Sequence, residues 1–188
     1  MRDRLLFIDT ETGGLDPDKH SLLSLAMVVW EDRQIIDSHE LLINDGVLSV
    51  TREALSVNRI DMEKHKQSAI PSSQAIGEIL LFTGKHFPQQ EKITLAGHNV
   101  HFDIGFLRTF FSSNDRDFSK YFSHRIIDTS SILHYLYLAG KIKQRAISSD
   151  EAFNLFGIEV DGRHTAIGDA TATAMLFTKL LNLLRNPQ

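Results

Sequence analysis

Cysteine is absent from this chain of 188 residues, which excludes disulfide bonds and thiolate metal sites. Excess positive charge is also absent, because the chain has 20 Lys and Arg residues and 24 Asp and Glu residues, a net charge of −4. This balance argues against a surface coated in positive charge, although a local basic patch remains compatible with nucleic-acid binding. The chain has no signal peptide and no apolar run of membrane-spanning length, so we expect a soluble cytoplasmic protein that does not bind a membrane.

Hydrophobic patterning divides the chain into strands and helices. The length suits one domain with a substantial core, and the absence of repeats and linkers favours a single domain over residues 1–188. We predict five strands: Leu5–Asp9, Leu22–Trp30, Ile35–Ile43, Ile93–Ala96 and Ile126–Asp128. We predict helices over Thr51–Lys66, Ser72–His86, the segments after Asn99 and after Asp128, Ser148–Phe156 and Ile167–Leu184. The first of these helices is expected to divide at Asn58, and Ser68–Pro71 is expected to form a loop. This order predicts an α/β fold in which helices flank a mixed five-stranded sheet that begins as an antiparallel meander.

The first candidate functional motif lies in the stretch from Leu5 to Leu15. The four apolar residues Leu5–Ile8 predict a strand buried on both faces, and Asp9 and Glu11 follow at once. Because alternate side chains of a strand share a face, the two carboxylates point the same way, about 7 Å apart at the backbone. An acidic pair at the end of a buried strand is costly unless a cation meets it, and a metal ion is the simplest such cation.

A third carboxylate lies in the stretch Gly97–Leu107. Asn99 is suited to cap the helix that follows. The core-facing stripe of that helix contains Val100, Ile104, Leu107 and Phe111. Asp103 falls at the edge of this stripe, so it needs a partner as the first pair does. For an isolated Asp, hydrogen bonds to backbone amides or an ion pair with an arginine are the simpler interpretation.

His164 and Asp169 form the third motif, within Gly162–Ala170. On one continuous helix, side chains five residues apart would diverge by about 140°. The spacing therefore predicts His164 on a loop and Asp169 in the first turns of the last helix, where the helix dipole favours a carboxylate. Alone this motif is a weak signal, since a loop histidine is usually just solvated.

Taken together, the three motifs resemble those of the DEDD superfamily of 3′–5′ exonucleases. Asp-Thr-Glu-Thr after an apolar strand, His-Asn-x3-Asp at a helix start and His-x4-Asp before the last helix are similar to the pattern of its DnaQ-like, histidine-containing branch. That branch includes proofreading subunits of DNA polymerase III and ribonuclease T. The resemblance extends over residues 5–181, includes all five signature residues and implies a ribonuclease H-like fold.

The resemblance implies a role for each signature residue. Asp9, Glu11, Asp103 and Asp169 match the four metal-site acids, and His164 matches the general base. Two Mg²⁺ or Mn²⁺ ions per active site are implied, which suits a set of carboxylate ligands. Asp9 is expected to bridge both ions, with Glu11 and Asp169 on the nucleophile side and Asp103 bound directly or through water. His164 is expected to accept the proton of the attacking water.

The resemblance also indicates which residues contact the terminal nucleotide. The positions concerned are Thr12, Gly13, Leu15, His98, Asn99 and Phe102. Gly13 replaces the second Thr that is usual in the family, so a hydroxyl contact is lost while backbone amides there remain available. Leu15 is either an apolar wedge under a base or part of the turn packing. Asn99 is either a substrate contact or a helix cap. Phe102 either stacks on a base or fills the core. Asp128 is expected to give structural support.

We predict a metal-dependent 3′–5′ exonuclease that releases nucleoside 5′-monophosphates from single-stranded ends by two-metal hydrolysis. DNA is the first choice of substrate, and the alternative is an exoribonuclease acting on RNA ends or short oligoribonucleotides. A nucleotide conjugate is a further phosphodiester substrate, and a binding module without catalysis is a rival that should have lost one of the acids. Because the chain ends soon after its last helix, we expect a stand-alone enzyme or one loosely associated with a polymerase; the resemblance also leaves a homodimer open.

Overall fold

The strands assemble into one mixed sheet in the computed structural model, which describes residues 4–88 and 92–185. The strands are β1 Arg4–Thr12, β2 Leu22–Glu31, β3 Gln34–Asn44, β4 Ile70–Pro71, β5 Ile93–Gly97 and β6 Phe122–Asp128, in the spatial order β4-β3-β2-β1-β5-β6. The first three are antiparallel neighbours, whereas β4 is parallel to β3, and β5 and β6 continue parallel to β1. The predicted mixed α/β fold is confirmed. It has one strand more than predicted, because Ile70–Pro71 pairs with Ile43 and Asn44 instead of forming a loop.

The central strand β1 is longer than the sequence predicts. Its pairing with β2 continues through Thr12, so Glu11 lies within the paired strand with Asp9, whereas the predicted strand ends at Asp9. The next hairpin turns at Asp32 and Arg33, whose φ angles of 49° and 69° match a type I′ turn. The predicted antiparallel meander is therefore confirmed, with the acids held on its central strand.

Seven α-helices flank the sheet in the described residues. They are α1 Arg52–Asn58, α2 Met62–Ser68, α3 Ser72–His86, α4 His101–Ser113, α5 Thr129–Leu138, α6 Ser149–Leu155 and α7 Ala166–Arg185. The predicted division at Asn58 is confirmed, since the side chain of Thr51 caps α1 and that of Asp61 caps α2. None of the helices within residues 4–88 and 92–185 combines the length and apolar content that crossing a membrane requires.

The two faces of β1 pack against different helices. Leu6 and Ile8 belong to the larger core cluster, which α3 and α4 cover. Leu5 and Phe7 face α7, where three fully buried alanines spaced four residues apart meet the sheet: Ala166, Ala170 and Ala174. Such small side chains let a helix approach a sheet closely. The start of α7 therefore lies against the end of β1 on the face that carries Asp9 and Glu11.

The turn after β1 depends on a close backbone approach at Gly13. Its N–H donates to the Ser21 carbonyl at 2.8 Å, and its carbonyl accepts from the Thr51 N–H at 2.7 Å. A Cβ atom at this position would lie 2.0 Å from the carbonyl oxygen of Ser49. The glycine that departs from the family pattern is thus required by the packing of this turn against the segment before α1.

Replacing Gly13 with alanine should destabilise the protein by about 2–4 kcal/mol, because the added methyl group forces backbone to move. The matched control is Gly77→Ala in α3, where a Cβ atom meets nothing within 4 Å. That variant should be neutral or up to about 1 kcal/mol more stable, since alanine favours a helix over glycine. Chemical denaturation of both variants measures the difference, and equal stability of Gly13→Ala and the parent protein would contradict the close approach.

Candidate active site

Three carboxylates from two elements converge at the end of β1. Asp9 and Glu11 project from one face of β1, opposite Ala26 and Ser24 of β2. Asp169 comes from the first turn of α7. One carboxylate oxygen from each of the three acids lies within 4.8 Å of the others. This spacing lets one cation reach all three after small side-chain adjustments.

Asp103 approaches from the opposite face of β1. It is buried in α4, and the Thr10 hydroxyl donates to its carboxylate at 2.7 Å. It stands outside the group of three acids, yet its charge acts on both Asp9 and Glu11. The core stripe predicted for this helix is confirmed, since Val100, Ile104, Leu107 and Phe111 are all buried. Direct metal binding by Asp103 stays a prediction.

Burial of the acids makes their charged forms costly. Burial, and then the charges of Asp103, Asp169 and Glu11, raise the pKa of Asp9 well above its usual value. Burial is also the first cause that raises the pKa of Glu11 to about 8 and that of Asp103 to about 7. The pKa of Asp169 is raised by burial as well, against the opposing effect of Arg163. Carboxylates in this state need cations in order to ionise together at neutral pH.

The donor atoms fit a hard divalent cation. Within the described part of the chain, Asp169 Oδ1 and Ser24 Oγ are buried oxygens with no hydrogen-bond partner. Ser24 lies directly opposite Glu11 on β2. Unsatisfied buried oxygen atoms beside three carboxylates are ligands that suit a hard divalent cation. Asp9, Glu11 and Asp169 are the residues that would hold it.

His164 lies on the loop before α7 and Asp169 on the helix, as their spacing predicts. The histidine is half-buried and has a φ angle of 65°, a conformation that non-glycine residues rarely adopt. Thr165 caps the start of α7, since its hydroxyl accepts from the Gly168 N–H at 3.2 Å. The charge of a protonated His164 lowers the pKa of Asp169 and of Asp150. The imidazole is therefore within electrostatic reach of the acidic site.

Arg163 is a site residue that no motif of the sequence indicates. Its guanidinium forms an ion pair with Asp169 and a second one with Asp150, the latter at 2.7 Å. It also donates to the Ser149 hydroxyl at 3.0 Å. An arginine between a glycine and a histidine gives no signal of its own, because two of its partners belong to α6, a separate helix.

Glu40 is a further acid that the sequence does not reveal. Asp9 pairs with Ala26 and Ala26 pairs with Glu40, so all three side chains share one face of the sheet. The Glu40 carboxylate accepts from the Ile167 N–H at 3.4 Å, and its charge helps to raise the pKa of Glu11. Its alignment depends on the registers of two strand pairs, which no local motif encodes.

The turn residues predicted to contact substrate have different surroundings. Thr12 is buried and donates its hydroxyl to the Gly14 carbonyl at 2.8 Å. The Gly13 N–H is already paired with Ser21, so a nucleotide contact from that amide is not favoured. Leu15 is 85% exposed, which contradicts turn packing and leaves the wedge as its open role. The substrate contacts of all three stay predictions.

The second predicted substrate group surrounds the start of α4. His98 is half-buried, and its Nδ1 lies 3.0 Å from the Thr129 hydroxyl; burial lowers its pKa. Asn99 is exposed with a φ angle of 57°, and its side chain does not cap α4, which corrects that expectation. Its N–H donates instead to Asp128 at 2.8 Å, a contact that matches the predicted supporting role of Asp128. Phe102 is half-buried and packs on the core.

Comparison with protein families and with known proteins gives concordant matches. A family model, RNase_T, described as an exonuclease, matches residues 6–177. The ribonuclease T of Wigglesworthia glossinidia brevipalpis is 29% identical over 185 residues, covering 93% of this chain and 83% of the relative. A PolC-type DNA polymerase III of Thermotoga petrophila is 26% identical over 180 residues. That match covers 95% of this chain but 12% of the polymerase.

Solved structures give a match of the fold. E. coli exonuclease I in complex with a dT13 oligonucleotide superposes with a TM-score of 0.83 at 17% identity. The match covers 97% of this chain and 42% of exonuclease I, so the chain spans less than half of that protein. At this identity the similarity shows a shared fold alone.

Proposed function

The chain belongs to the exonuclease family, whose members hydrolyse nucleic acids, and on this basis we propose that it is a metal-dependent 3′–5′ exonuclease acting on single-stranded DNA. The observation that carries the proposal is the convergence of Asp9, Glu11 and Asp169 within 4.8 Å, with His164 on the loop that leads into the same helix. Buried carboxylates with raised pKa values and a nearby titratable imidazole are typical of a catalytic site.

The proposed chemistry assigns a task to each side chain. Asp9, Glu11 and Asp169, with Asp103 beside them, would hold two divalent cations that, when bound, stabilise negative charge on the phosphate and on the leaving oxygen. His164 accepts a proton from the attacking water, whose oxygen bonds to phosphorus. The bond from phosphorus to the 3′ oxygen breaks, and that oxygen regains a proton from solvent. The terminal nucleotide leaves with its 5′-phosphate, and the shortened strand keeps a 3′ hydroxyl.

The preference for DNA over RNA and the choice of partner proteins are separate proposals, each with its own support. Exonuclease I in the matched structure carries a DNA oligonucleotide, whereas the relative from Wigglesworthia is named a ribonuclease. An exoribonuclease acting on RNA ends or short oligoribonucleotides is therefore the second candidate. The PolC-type relatives support loose association with a polymerase, and the homodimer stays a prediction.

A substrate comparison tests the proposed activity. Oligonucleotides of DNA and of RNA, labelled at the 5′ end, should shorten one nucleotide at a time with Mn²⁺ present, and DNA should react faster. Inverting the 3′-terminal linkage should block the reaction, and the released product should be the nucleoside 5′-monophosphate. Glu11→Gln, purified in parallel, controls for contaminating nucleases. Oligonucleotide binding without release of mononucleotides would contradict the proposal, and faster cleavage of RNA or dinucleotides would replace the substrate assignment.

A further inference from the structure

The guanidinium of Arg163 is divided between the acidic site and helix α6. Its Nη1 forms the ion pair with Asp169 at the start of α7. Its other two nitrogens face α6, where Nε contacts Asp150 Oδ1 at 2.7 Å and Nη2 contacts Ser149 Oγ at 3.0 Å. The same cation therefore joins a predicted metal ligand to a helix outside the site.

The contacts on α6 can hold Arg163 without Asp169. The guanidinium carbon lies 5.4 Å from the centroid of the Phe153 ring, a distance typical of a cation–π contact. Together with Asp150 and Ser149, this ring gives the guanidinium three partners that are not members of the acidic group. The Arg163 side chain is 23% exposed and that of Asp150 is 59% exposed, so shielding from water comes from the buried Phe153 ring. We call Ser149, Asp150 and Phe153 the α6 seat.

Arg163 also acts electrostatically on the acids of the site. Its positive charge lowers the pKa of Asp9, Glu11 and Asp169, opposing the effect of their burial. Asp169 uses Oδ2 for the ion pair, while its Oδ1 is buried with no hydrogen-bond partner within the described residues. A divalent cation attracted to Asp169 therefore meets a carboxylate that already has a cationic partner.

We propose that Arg163 is the counter-ion of the acidic site in the absence of metal. When a divalent cation binds Asp169, the guanidinium leaves this carboxylate and stays bound to the α6 seat. The inference rests on the metal-dependent function proposed above. Arg163 partly neutralises the acids before the metal binds, and the metal has to displace it from Asp169 in order to bind. Because His164 is the next residue, retention of Arg163 by α6 also holds the histidine loop near the site while Asp169 changes partner.

Metal binding to Arg163→Gln tests the competition directly. Titration of the whole chain with Mn²⁺, followed by electron paramagnetic resonance without nucleic acid, should show about tenfold tighter binding, since a charge-assisted contact to Asp169 no longer has to be displaced. The metal-free variant should melt at a lower temperature than the parent, because the acids lose their counter-ion. Arg145→Gln removes an equal charge from an exposed loop position and should leave Mn²⁺ affinity unchanged.

Asp150→Asn tests the role of the α6 seat. The substitution weakens the alternative partner of Arg163, so the guanidinium should stay on Asp169 and Mn²⁺ binding should weaken about threefold. In the Arg163→Gln background the same substitution should have no effect on Mn²⁺ affinity. A loss of equal size in both backgrounds would instead indicate a general charge effect and would overturn the role given to the seat.

The outcomes separate this inference from the proposed function. If the parent protein binds no Mn²⁺, the metal-dependent function itself fails. If the parent binds Mn²⁺ and Arg163→Gln binds it equally or more weakly, Arg163 only positions Asp169 and the counter-ion proposal is wrong. Should Arg163→Gln not fold, Arg163→Lys keeps the charge but cannot span both helices, and it should bind Mn²⁺ between about twofold and tenfold more tightly than the parent.

Discussion

Asp9→Asn is expected to lower nuclease turnover by more than about 10³-fold while making the metal-free protein more stable. Asp9 lies within 4.8 Å of both other acids of the converging group, counted between carboxylate oxygens. Mutating a residue that only supports a metal ligand typically lowers metal affinity or activity about 10–100-fold, so mutating a ligand itself should cost more. Asparagine keeps the shape of the side chain and removes its charge, so the loss reports on charge rather than on packing.

The stability gain of Asp9→Asn follows from the crowding of the acids and depends on pH. A carboxyl group whose pKa rises on folding contributes stability that is full below its unfolded pKa and is lost as the pH rises through its folded pKa. The pKa of Asp9 is raised chiefly by burial, and those of Glu11 and Asp103 reach about 8 and about 7. The metal-free parent should therefore lose stability between about pH 4 and pH 8. The benefit of removing one of these charges grows over the same range.

Thermal melting in a chelator measures this gain. The melting temperature of Asp9→Asn should exceed that of the parent at about pH 8, by about 2–4 °C for each kcal/mol, and by less at about pH 5.5. Added Mn²⁺ should raise the melting temperature of the parent more than that of the variant. Asp45→Asn, at an exposed carboxylate, is the matched control and should behave as the parent does. A variant that melts below the parent at the higher pH would show that Asp9 supports the metal-free fold.

The features that the sequence predicts well are those set by local periodicity. The helix Ser72–His86 is found with the predicted limits, because Ala75, Ile76, Ile79 and Phe82 recur at helical spacing and pack on one core. Asp9 and Glu11 share a face because any strand places alternate residues together. His164 and Asp169 separate into loop and helix because their spacing does not fit one helical face.

The features that the sequence misses arise from contacts between distant segments. Asn99 fails as a helix cap because its backbone is left-handed, with a φ angle of 57°, whereas a capping residue is normally extended. Its N–H donates to Asp128, 29 residues further along the chain. Glu40 reaches the site through the registers of two strand pairs, and Arg163 through the docking of α6 against α7. A one-residue change of register would place Glu40 on the other face of the sheet. Such residues can be identified only once the strands and helices are assembled.

Replacing His164 with alanine or glycine is expected to reduce turnover about 10²–10⁴-fold, the range typical of a lost acid–base group. Mn²⁺ affinity should stay close to that of the parent, because the histidine is not one of the converging carboxylates. Single-turnover cleavage and Mn²⁺ titration of the same preparations separate the two quantities. His134→Ala, an exposed histidine on α5, is the matched control and should keep full turnover.

The pH dependence of the His164 variants distinguishes a proton acceptor from a structural residue. At higher pH, hydroxide supplies the deprotonated nucleophile that the imidazole otherwise generates, so the deficit of His164→Ala relative to the parent should narrow as the pH rises. Free imidazole should restore part of the turnover of His164→Gly, whose missing side chain leaves room for it. A deficit that is constant with pH and insensitive to imidazole would assign His164 a structural role.

The backbone of His164 provides an independent check on stability. Its φ angle of 65° is strained for alanine but not for glycine. The free energy of unfolding of His164→Gly should therefore equal that of His164→Ala or exceed it by up to about 1 kcal/mol, although both variants lose turnover. If the more stable of the two variants also kept more turnover, the loss of turnover would come from the loop conformation. A loss of turnover that is similar in both variants, despite their different stabilities, would come from the missing imidazole.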